Sequence, residues 1–540
     1  MSKKLLTLVW LVHFALGSGM AQSSYELVAS DPELKIDQVV EVCAPPSIMA
    51  AAQPMVCVVS NCSYGDGRGN GVLLSELEQR LSSVRSHRLF GQRTMLHARD
   101  AVCSGPDYYV LGNVSSAGLF ISKINTSTVQ VAWTKGLAFS KPGFSLEASD
   151  LLWYEGGLLV LSNQRSDQGK ISGFVVSRMS DQGELLWSKT FEGSSITAHD
   201  YQASSLTFSS DKNILVSGIR TNKTAPNDRA VFLIRLSDSG QSQVQKILTF
   251  FNAFSKRLIP ENCFLDVNGV NIHLAMQASD QGLRPGALTI TMIDNDLEVR
   301  TWRNYSPRFR MEDFKIGSNK FLMCGQITGD SPEPGYALVG INNANAIPEI
   351  VDYNRSGFLE ADSAHSSSAA YHRTWQRYIL AGLKHSDSGS KIFLEIRPER
   401  KETQCVDTFS FVVTKDPIQN DETLDLAEES AVLETIDLNL FLEPIVQQLS
   451  LQCNLTSVED QLDHDLIYPT ASFDYLWIRS SNPAQEQYFI TGMDGRWQPA
   501  HFHPDQNRLD IRALSPGLYV FIQKNLKTGQ LRQCKFVKTD

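Results

Sequence analysis

A chain of 540 residues is too long for one ordinary core, so two or three domains are expected. Hydrophobic content of 42% and charged content of 20% are those of a folded soluble protein. The 49 Lys and Arg against 59 Asp and Glu leave a net charge of −10, which disfavours nucleic acid as a partner, although a local basic patch stays compatible with it.

Lys3 and Lys4 precede an apolar run over residues 5–16, and Gly19-Met20-Ala21 supplies the small residues that signal peptidase reads. Cleavage is expected between Ala21 and Gln22. The run is about 12 residues long, against about 20 needed to span a bilayer, so it reads as an export signal and not an anchor. No later segment is apolar enough to cross, and no transmembrane segment is expected.

Residues 22–96 form an N-terminal segment of uncertain fold. Residues 72–87 suggest a helix, with Leu73, Leu74, Leu77 and Leu81 on one face. The Gly-rich stretch 64–71 lacks the Lys-Ser/Thr of a phosphate loop, and Asp66 is its single carboxylate, so it reads as a turn. The nine cysteines leave at least one unpaired in an exported chain. Cys43, Cys57 and Cys62 lack the close pairing and histidines of a zinc site, and Cys324 sits in an apolar run as a small core residue.

From residue 97 to 404 a unit of two hairpins recurs. One copy spans residues 149–191, with strands at 150–154, 158–162, 174–179 and 185–191 and Gly-bearing turns between the paired ones. Its second strand reappears as YYVLGN (108–113), LLVLSN (158–163), NILVSGI (213–219), NIHLAMQ (271–277), KFLMCGQ (320–326) and RYILAGL (377–383). The third recurs in the same register, and the fourth carries Trp133, Trp187 and Trp302. The copies lie about 50–57 residues apart, the range of propeller blades. A sheet apolar on both faces buries them by radial stacking. Six copies predict six blades; a seventh would come from the N-terminal segment or from strands after Cys405. The alternative is a stack of β-sandwiches.

The turn Ser180-Asp181-Gln182-Gly183 leading to Trp187 resembles repeats of secreted bacterial propellers and quinoprotein blades, where such a Trp docks blade to blade. It differs from the sialidase Asp-box in the spacing of its aromatic residue. The resemblance implies packing and no cofactor.

Residues 405–454 read as a small acidic β module. The stretch 416–443 holds nine acidic residues and no Lys or Arg, yet Ile436, Leu438, Leu440 and Leu442 alternate with polar positions. Its acidity fits a solvated strand face better than calcium. Cys405 and Cys453, at its two ends, are expected to pair. Residues 455–466 form a linker.

The tail, 467–540, carries Tyr468-Pro469, a Gly492-Met-Asp-Gly495 turn, Leu514-Ser-Pro-Gly517-Leu-Tyr519 and a terminal Lys535-Phe536-Val537-Lys538. These motifs, in this order, resemble the type A C-terminal sorting domain of proteins exported by the bacterial type IX secretion system. Thr470 and Ala471 replace the Asn-Pro of that family's opening motif. Short alternating strands with Gly turns independently predict a small Ig-like β-sandwich. His501 and His503 lie two apart without a third metal ligand and read as surface residues.

The resemblance implies an address: passage through the periplasm, then delivery by the type IX machinery to the cell surface or the medium, usually with removal of the sorting domain. The expected fold class is all-β, a six- or seven-bladed β-propeller followed by the acidic module and the sorting domain. The propeller is then the working part. The favoured reading is a non-catalytic binding or adhesion module for an unidentified glycan or protein. The alternative is a glycan-active hydrolase or lyase using some of His199, Asp200, Tyr371, His372 and Arg373.

Overall fold

The computed structural model describes most of the chain between residues 23 and 538; residues 1–22, 399–406, 455–466 and a series of connecting loops lie outside the described residues. The chain divides into a unit spanning Ser24–Cys453 and a second holding Asn454–Asp540. Among the described residues every helix or strand assigned is a strand, and no helix is long and apolar enough to cross a membrane.

The first unit contains seven five-stranded sheets, numbered here by the order of their inner strands. Those inner strands are Leu34–Cys43, Leu96–Ser104, Phe144–Tyr154, His199–Phe208, Ile259–Asn268, Phe309–Ile316 and Ser363–His372. Each leads an antiparallel meander, and each touches the inner strand before and after it until sheet 7 meets sheet 1. This radial arrangement is a β-propeller. Sheet 7 takes only three strands from its own stretch of chain; Ser23–Ala29 is the fourth, so the first strand closes the ring.

The cores lie between the sheets. Val110 and Phe120 pack against Val59, Leu74 and Leu89 of sheet 1, whereas Leu111 and Ile121 pack against Leu151, Val160 and Val175 of sheet 3. Leu161, Phe174 and Phe191 face Val216 and Phe232, and Leu215, Val231 and Leu233 face Leu274 and Met276. Successive side chains on a strand point to opposite faces, and here both faces are covered. That is why the second-strand motifs read as unbroken apolar runs.

Two expectations are corrected. Residues 72–87 are not a helix: Asn70–Leu77 and Val84–Gly91 are paired strands of sheet 1. Leu73, Leu74 and Leu77 imitate a helical stripe because seven of the eight residues of Asn70–Leu77 are buried, on both faces. The Gly-rich stretch joins Val56–Tyr64 to Asn70–Leu77 as a hairpin connection.

Residues 405–454 do not fold as a module of their own. Asp407–Thr408 pairs with sheet 6, Val413–Thr414 with sheet 5, Asn420–Glu422 with sheet 4, Leu426–Ser430 with sheet 3, Leu433–Asp437 with sheet 2, Leu440–Ile445 with sheet 1 and Gln447–Asn454 with sheet 7. The segment is a belt that runs backwards around the ring and gives every sheet its fifth strand. Its acidity meets basic residues of the outer strands: Glu428 lies 3.1 Å from Lys189, Asp437 2.5 Å from Lys135 and Glu443 3.6 Å from Arg88. Asp437 is 82% exposed, so such pairs contribute at most about 1 kcal/mol each. The ladder hydrogen bonds hold the belt; the charges bias its position.

The second unit has two sheets. One is ordered Ile467–Tyr468, Tyr475–Ile478, Arg508–Asp510, His501–His503; the other Ala471–Ser472, Leu531–Lys538, Gly517–Asn525, Glu486–Gly492, Trp497–Gln498. Leu476, Ile478, Ile490, Leu509, Ile511, Leu514, Tyr519 and Phe521 form its core.

Candidate functional site

The chain concentrates its buried polar chemistry on the inner strands. Every one of them breaks register with its neighbour, at Val39/Glu41, Ala98/Asp100, Ala148/Asp150, Ala203/Ser205, Pro260/Asn262, Met311/Asp313 and Ser366/Ser368. A bulge frees a backbone N–H from the ladder, and a buried N–H needs an acceptor. Asp100 Oδ1 accepts from Ala101 N at 2.7 Å, Asp150 Oδ1 from Leu151 N at 2.9 Å and Asp313 Oδ1 from Phe314 N at 2.7 Å.

The second oxygen of each carboxylate reaches the next sheet. Asp100 Oδ2 accepts from Leu151 N at 2.5 Å, Asp150 Oδ2 from Leu206 N at 2.5 Å, Asp266 Oδ2 from Ile316 N at 2.7 Å and Asp313 Oδ2 from Ala369 N at 2.9 Å. Ser205 and Ser368 take the same place with hydroxyls, accepting from Leu265 N at 3.2 Å and Val42 N at 3.0 Å. The result is a polar girdle that passes a hydrogen bond from sheet to sheet.

Lys315 is the cation of this girdle, 3.7 Å from both Glu41 Oε1 and Asp313 Oδ1. Burial opposes its charge, but Asp313, Glu41, Asp100 and Asp266 outweigh that and hold its pKa well above the lysine range. Burial pushes Glu41 up to about 8 despite Lys315, and Asp266 up to about 6. Burial, then the charge of Asp150, drives Asp100 well above the carboxylate range. A pKa of about 8 leaves Glu41 largely protonated at neutral pH, which eases the crowding of carboxyls around one lysine. Among the described residues no group of three or more His, Cys, Asp or Glu is arranged to hold a metal ion.

Amide side chains add a second tie between sheets. Asn61 brackets Ala98, accepting from its N–H at 2.7 Å and donating to its carbonyl at 3.0 Å. Asn163 does the same to Ala203, at 2.8 and 3.0 Å. Asn113 accepts from Ala148 N, and Gln277 from Met311 N, both at 2.8 Å. The residue closing the second-strand motif is therefore a clamp on the next sheet's bulge.

A third tie lies farther out. Trp133 Nε1 donates to Asp181 O at 3.0 Å, and Trp187 Nε1 donates to Asp238 O at 3.1 Å, each in a turn of the following sheet. Gly183 and Gly240 hold those turns with φ of 80°, and a Cβ on Gly240 would sit 2.7 Å from Trp187 Cζ3. Trp302 lies on Val299–Tyr305, the fourth strand of sheet 5; its side chain lies outside the described ones.

His199 and Asp200 begin the inner strand of sheet 4, where Asp200 pairs with Lys223 at 3.4 Å. Tyr371 and His372 end the inner strand of sheet 7, and Arg373 is outside the described residues. Contacts between inner strands advance in the same sense (Ser149 with Ala203, then Asp150 with Leu206), so these strands run parallel. The two groups therefore lie at opposite ends of the ring and are not brought together. The girdle was missed from sequence, although Ala-x-Asp at 98–100 and 148–150, Ala-x-Ser at 203–205 and Met-x-Asp at 311–313 recur with the blade spacing.

In the second unit Gly517↔Lys538, Leu518↔Val537, Tyr519↔Phe536 and Val520↔Lys535 are register partners, and Ala471↔Val537 flanks the terminal strand on its other side. Tyr519 donates to Ser515 O at 2.8 Å, closing the Pro-Gly turn, and Leu514 is 5% exposed. Tyr468 lies on Ile467–Tyr468 and Gly492 ends Glu486–Gly492, while Pro469 and Gly495 fall outside the described residues, as do Ala21, Gln22 and Cys405. His503 is exposed.

No family model matches the chain, and no curated protein matches it in sequence. In structure it is similar to the extracellular domain of a hybrid two-component system of B. thetaiotaomicron (8% identity, 93% of this chain and 75% of that one, TM-score 0.28). It is similar also to the endosialidase of phage phi92 (9%, 96% and 87%, TM-score 0.37). A third likeness is to PorZ, a surface component of the type-IX secretion system of Porphyromonas gingivalis (10%, 90% and 74%, TM-score 0.23).

Proposed function

We propose that this is an exported surface or secreted protein whose working part is a seven-bladed β-propeller, a non-catalytic binding module for a glycan or protein. The seven closed sheets support the blade number. In this reading the second unit is an Ig-like sorting domain, and the type IX machinery is its partner. The observation that carries the address is the tail: Leu514, Gly517, Tyr519 and Lys535–Lys538 belong to one compact unit, with the last motif paired along the Pro-Gly strand.

Binding is favoured over glycan cleavage because the candidate catalytic groups sit at opposite ends of the ring, and the girdle carboxyls are engaged by backbone N–H groups. A propeller offers a rigid ring whose loops supply the recognition face. Fractionation of cells expressing the full chain and a form lacking residues 535–540 tests the address. Full-length protein outside the outer membrane, with the truncated form held in the periplasm, is expected; normal delivery of the truncated form refutes the reading. A glycan and protein array with the intact chain tests the binding role.

A further inference from the structure

Three thiols meet between sheets 1 and 2. Cys43 ends the inner strand of sheet 1, and Cys57 is its register partner on the next strand. Cys103 lies on the inner strand of sheet 2, beside the hairpin end Ser104↔Asp107. Cys43 and Cys57 are 4% and 0% exposed, while Cys103 is half-buried and packs on the same apolar cluster. The Cys43 thiol lies 3.5 Å from Ala101 O, two residues before Cys103 on the same strand, and both cysteines belong to one apolar cluster. All three are free thiols in this structure.

We propose that Cys43 and Cys103 form a disulfide that staples sheet 1 to sheet 2 when the protein meets a small-molecule disulfide oxidant. The two inner strands already touch and the Cys43 thiol already reaches the backbone of the strand that carries Cys103, which is the proximity a disulfide needs. A Cys43–Cys57 bond is the competing pairing, since antiparallel register partners lie about 4.5–5.5 Å apart at Cα, but it would leave sheets 1 and 2 unlinked.

The order of events follows from exposure. The neighbouring Cys103 thiol and burial raise the Cys43 pKa, and burial and the charge of Glu76 raise that of Cys57, both well above the thiol range. Those two groups are therefore protonated and slow to react. Cys103 is the half-buried residue of the three. Its thiolate, after losing its proton to water, attacks oxidised glutathione, expels one glutathione thiolate and keeps the other half as a mixed disulfide. Cys43 then gives up its proton and attacks Cys103 Sγ, expelling the second glutathione. Two protein thiols and one glutathione disulfide become one protein disulfide and two reduced glutathiones.

The test uses the purified full chain, so it stands apart from the export reading. After incubation with oxidised glutathione, alkylation and trypsin digestion, the fragment 36–68 should be joined to 100–123, 2 Da lighter than their sum, and released by reductant. Fragment 36–68 also holds Cys57 and Cys62, so variants decide the pairing. The joined species should persist in Cys57→Ala and Cys62→Ala and vanish in Cys103→Ala. The oxidised protein should melt higher than the reduced one, with that shift lost in Cys103→Ala. Absence of the joined species, its loss in Cys57→Ala with folding intact by circular dichroism, or a glutathione adduct on Cys103 that never resolves would each overturn the proposal.

Discussion

Trp187 and Gly240 form a lock whose strength can be worked out in advance. Trp187 is half-buried and packs on the apolar cluster between sheets 3 and 4. A fully buried Trp covers up to about 200 Å², so about 100 Å² is taken here, worth about 2.5 kcal/mol at 25 cal/mol/Å². Its hydrogen bond to Asp238 O adds about 1 kcal/mol. Trp187→Ala should therefore cost about 3.5 kcal/mol. Gly240→Ala faces two penalties. Left-handed backbone costs an L-residue about 1 kcal/mol, and a Cβ 2.7 Å from Trp187 Cζ3 costs about 1–2 kcal/mol more. In a Trp187→Ala background the ring is gone and the backbone penalty dominates. The double mutant should thus be more stable than the sum of the singles predicts, by about 1–2 kcal/mol, measured by urea unfolding of the four proteins. Additivity within about 0.5 kcal/mol, or an unchanged midpoint for Trp187→Ala, would refute the lock.

Asn163→Ala removes both bonds to Ala203 and leaves its buried N–H without that acceptor, while Ser149 still donates to the Ala203 carbonyl; a loss of about 1–3 kcal/mol in chemical denaturation is expected. The girdle predicts a stability that declines with pH. Glu41 and Asp266 have folded-state pKa values raised to about 8 and about 6, so the folded protein holds protons that the unfolded chain has released, and their contribution is full below about pH 4 and is lost as pH rises to about 8. Glu41→Gln should flatten the melting-temperature profile between about pH 5 and pH 8; an unaltered slope counts against the buried carboxyl. Removing residues 535–540 strips the partners of Gly517–Val520, so the second unit should lose its fold while the ring keeps its melting transition, seen by calorimetry. Lys538 is 9% exposed, so its side chain is packed within the second unit and does not face solvent. The Cys405–Cys453 pairing proposed from sequence, where Cys405 lies outside the described residues, is checked by non-reducing peptide mapping: a joined peptide supports it, and two alkylated thiols there dismiss it.

What could be read from sequence follows the range of the interactions. Runs such as Val110-Leu111 and Val160-Leu161 repeat because each residue meets a core of its own, and the pattern is visible within six residues. The same two-sided burial misled at Leu73, Leu74 and Leu77, where a continuous run passes for a helical stripe. The belt was misread because its partners are remote: Ser75 and Ser86 bond Gln447 across 372 and 361 positions. Nothing in residues 405–454 states that their neighbours are seven different sheets. The girdle stayed hidden because single polar residues in strands look like solvent-facing positions until the ring places them inside.

The belt also sets the schedule on which the ring can be finished. Contacts closed over hundreds of residues form slowly, since the intervening chain must first be ordered. Until residues 407–454 arrive, the seven meanders present seven bare edges, each a template for another strand. A nascent chain stalled near residue 400 would therefore be a sticky wheel without its tyre. Because the belt is laid from sheet 6 back to sheet 7, its last strand in sequence, Gln447–Asn454, is the last made, and it pairs beside Ser23–Ala29, the first of the described strands. The two ends of the ring's chain meet in one sheet, so the ring's completion is reported at the point from which the tail departs.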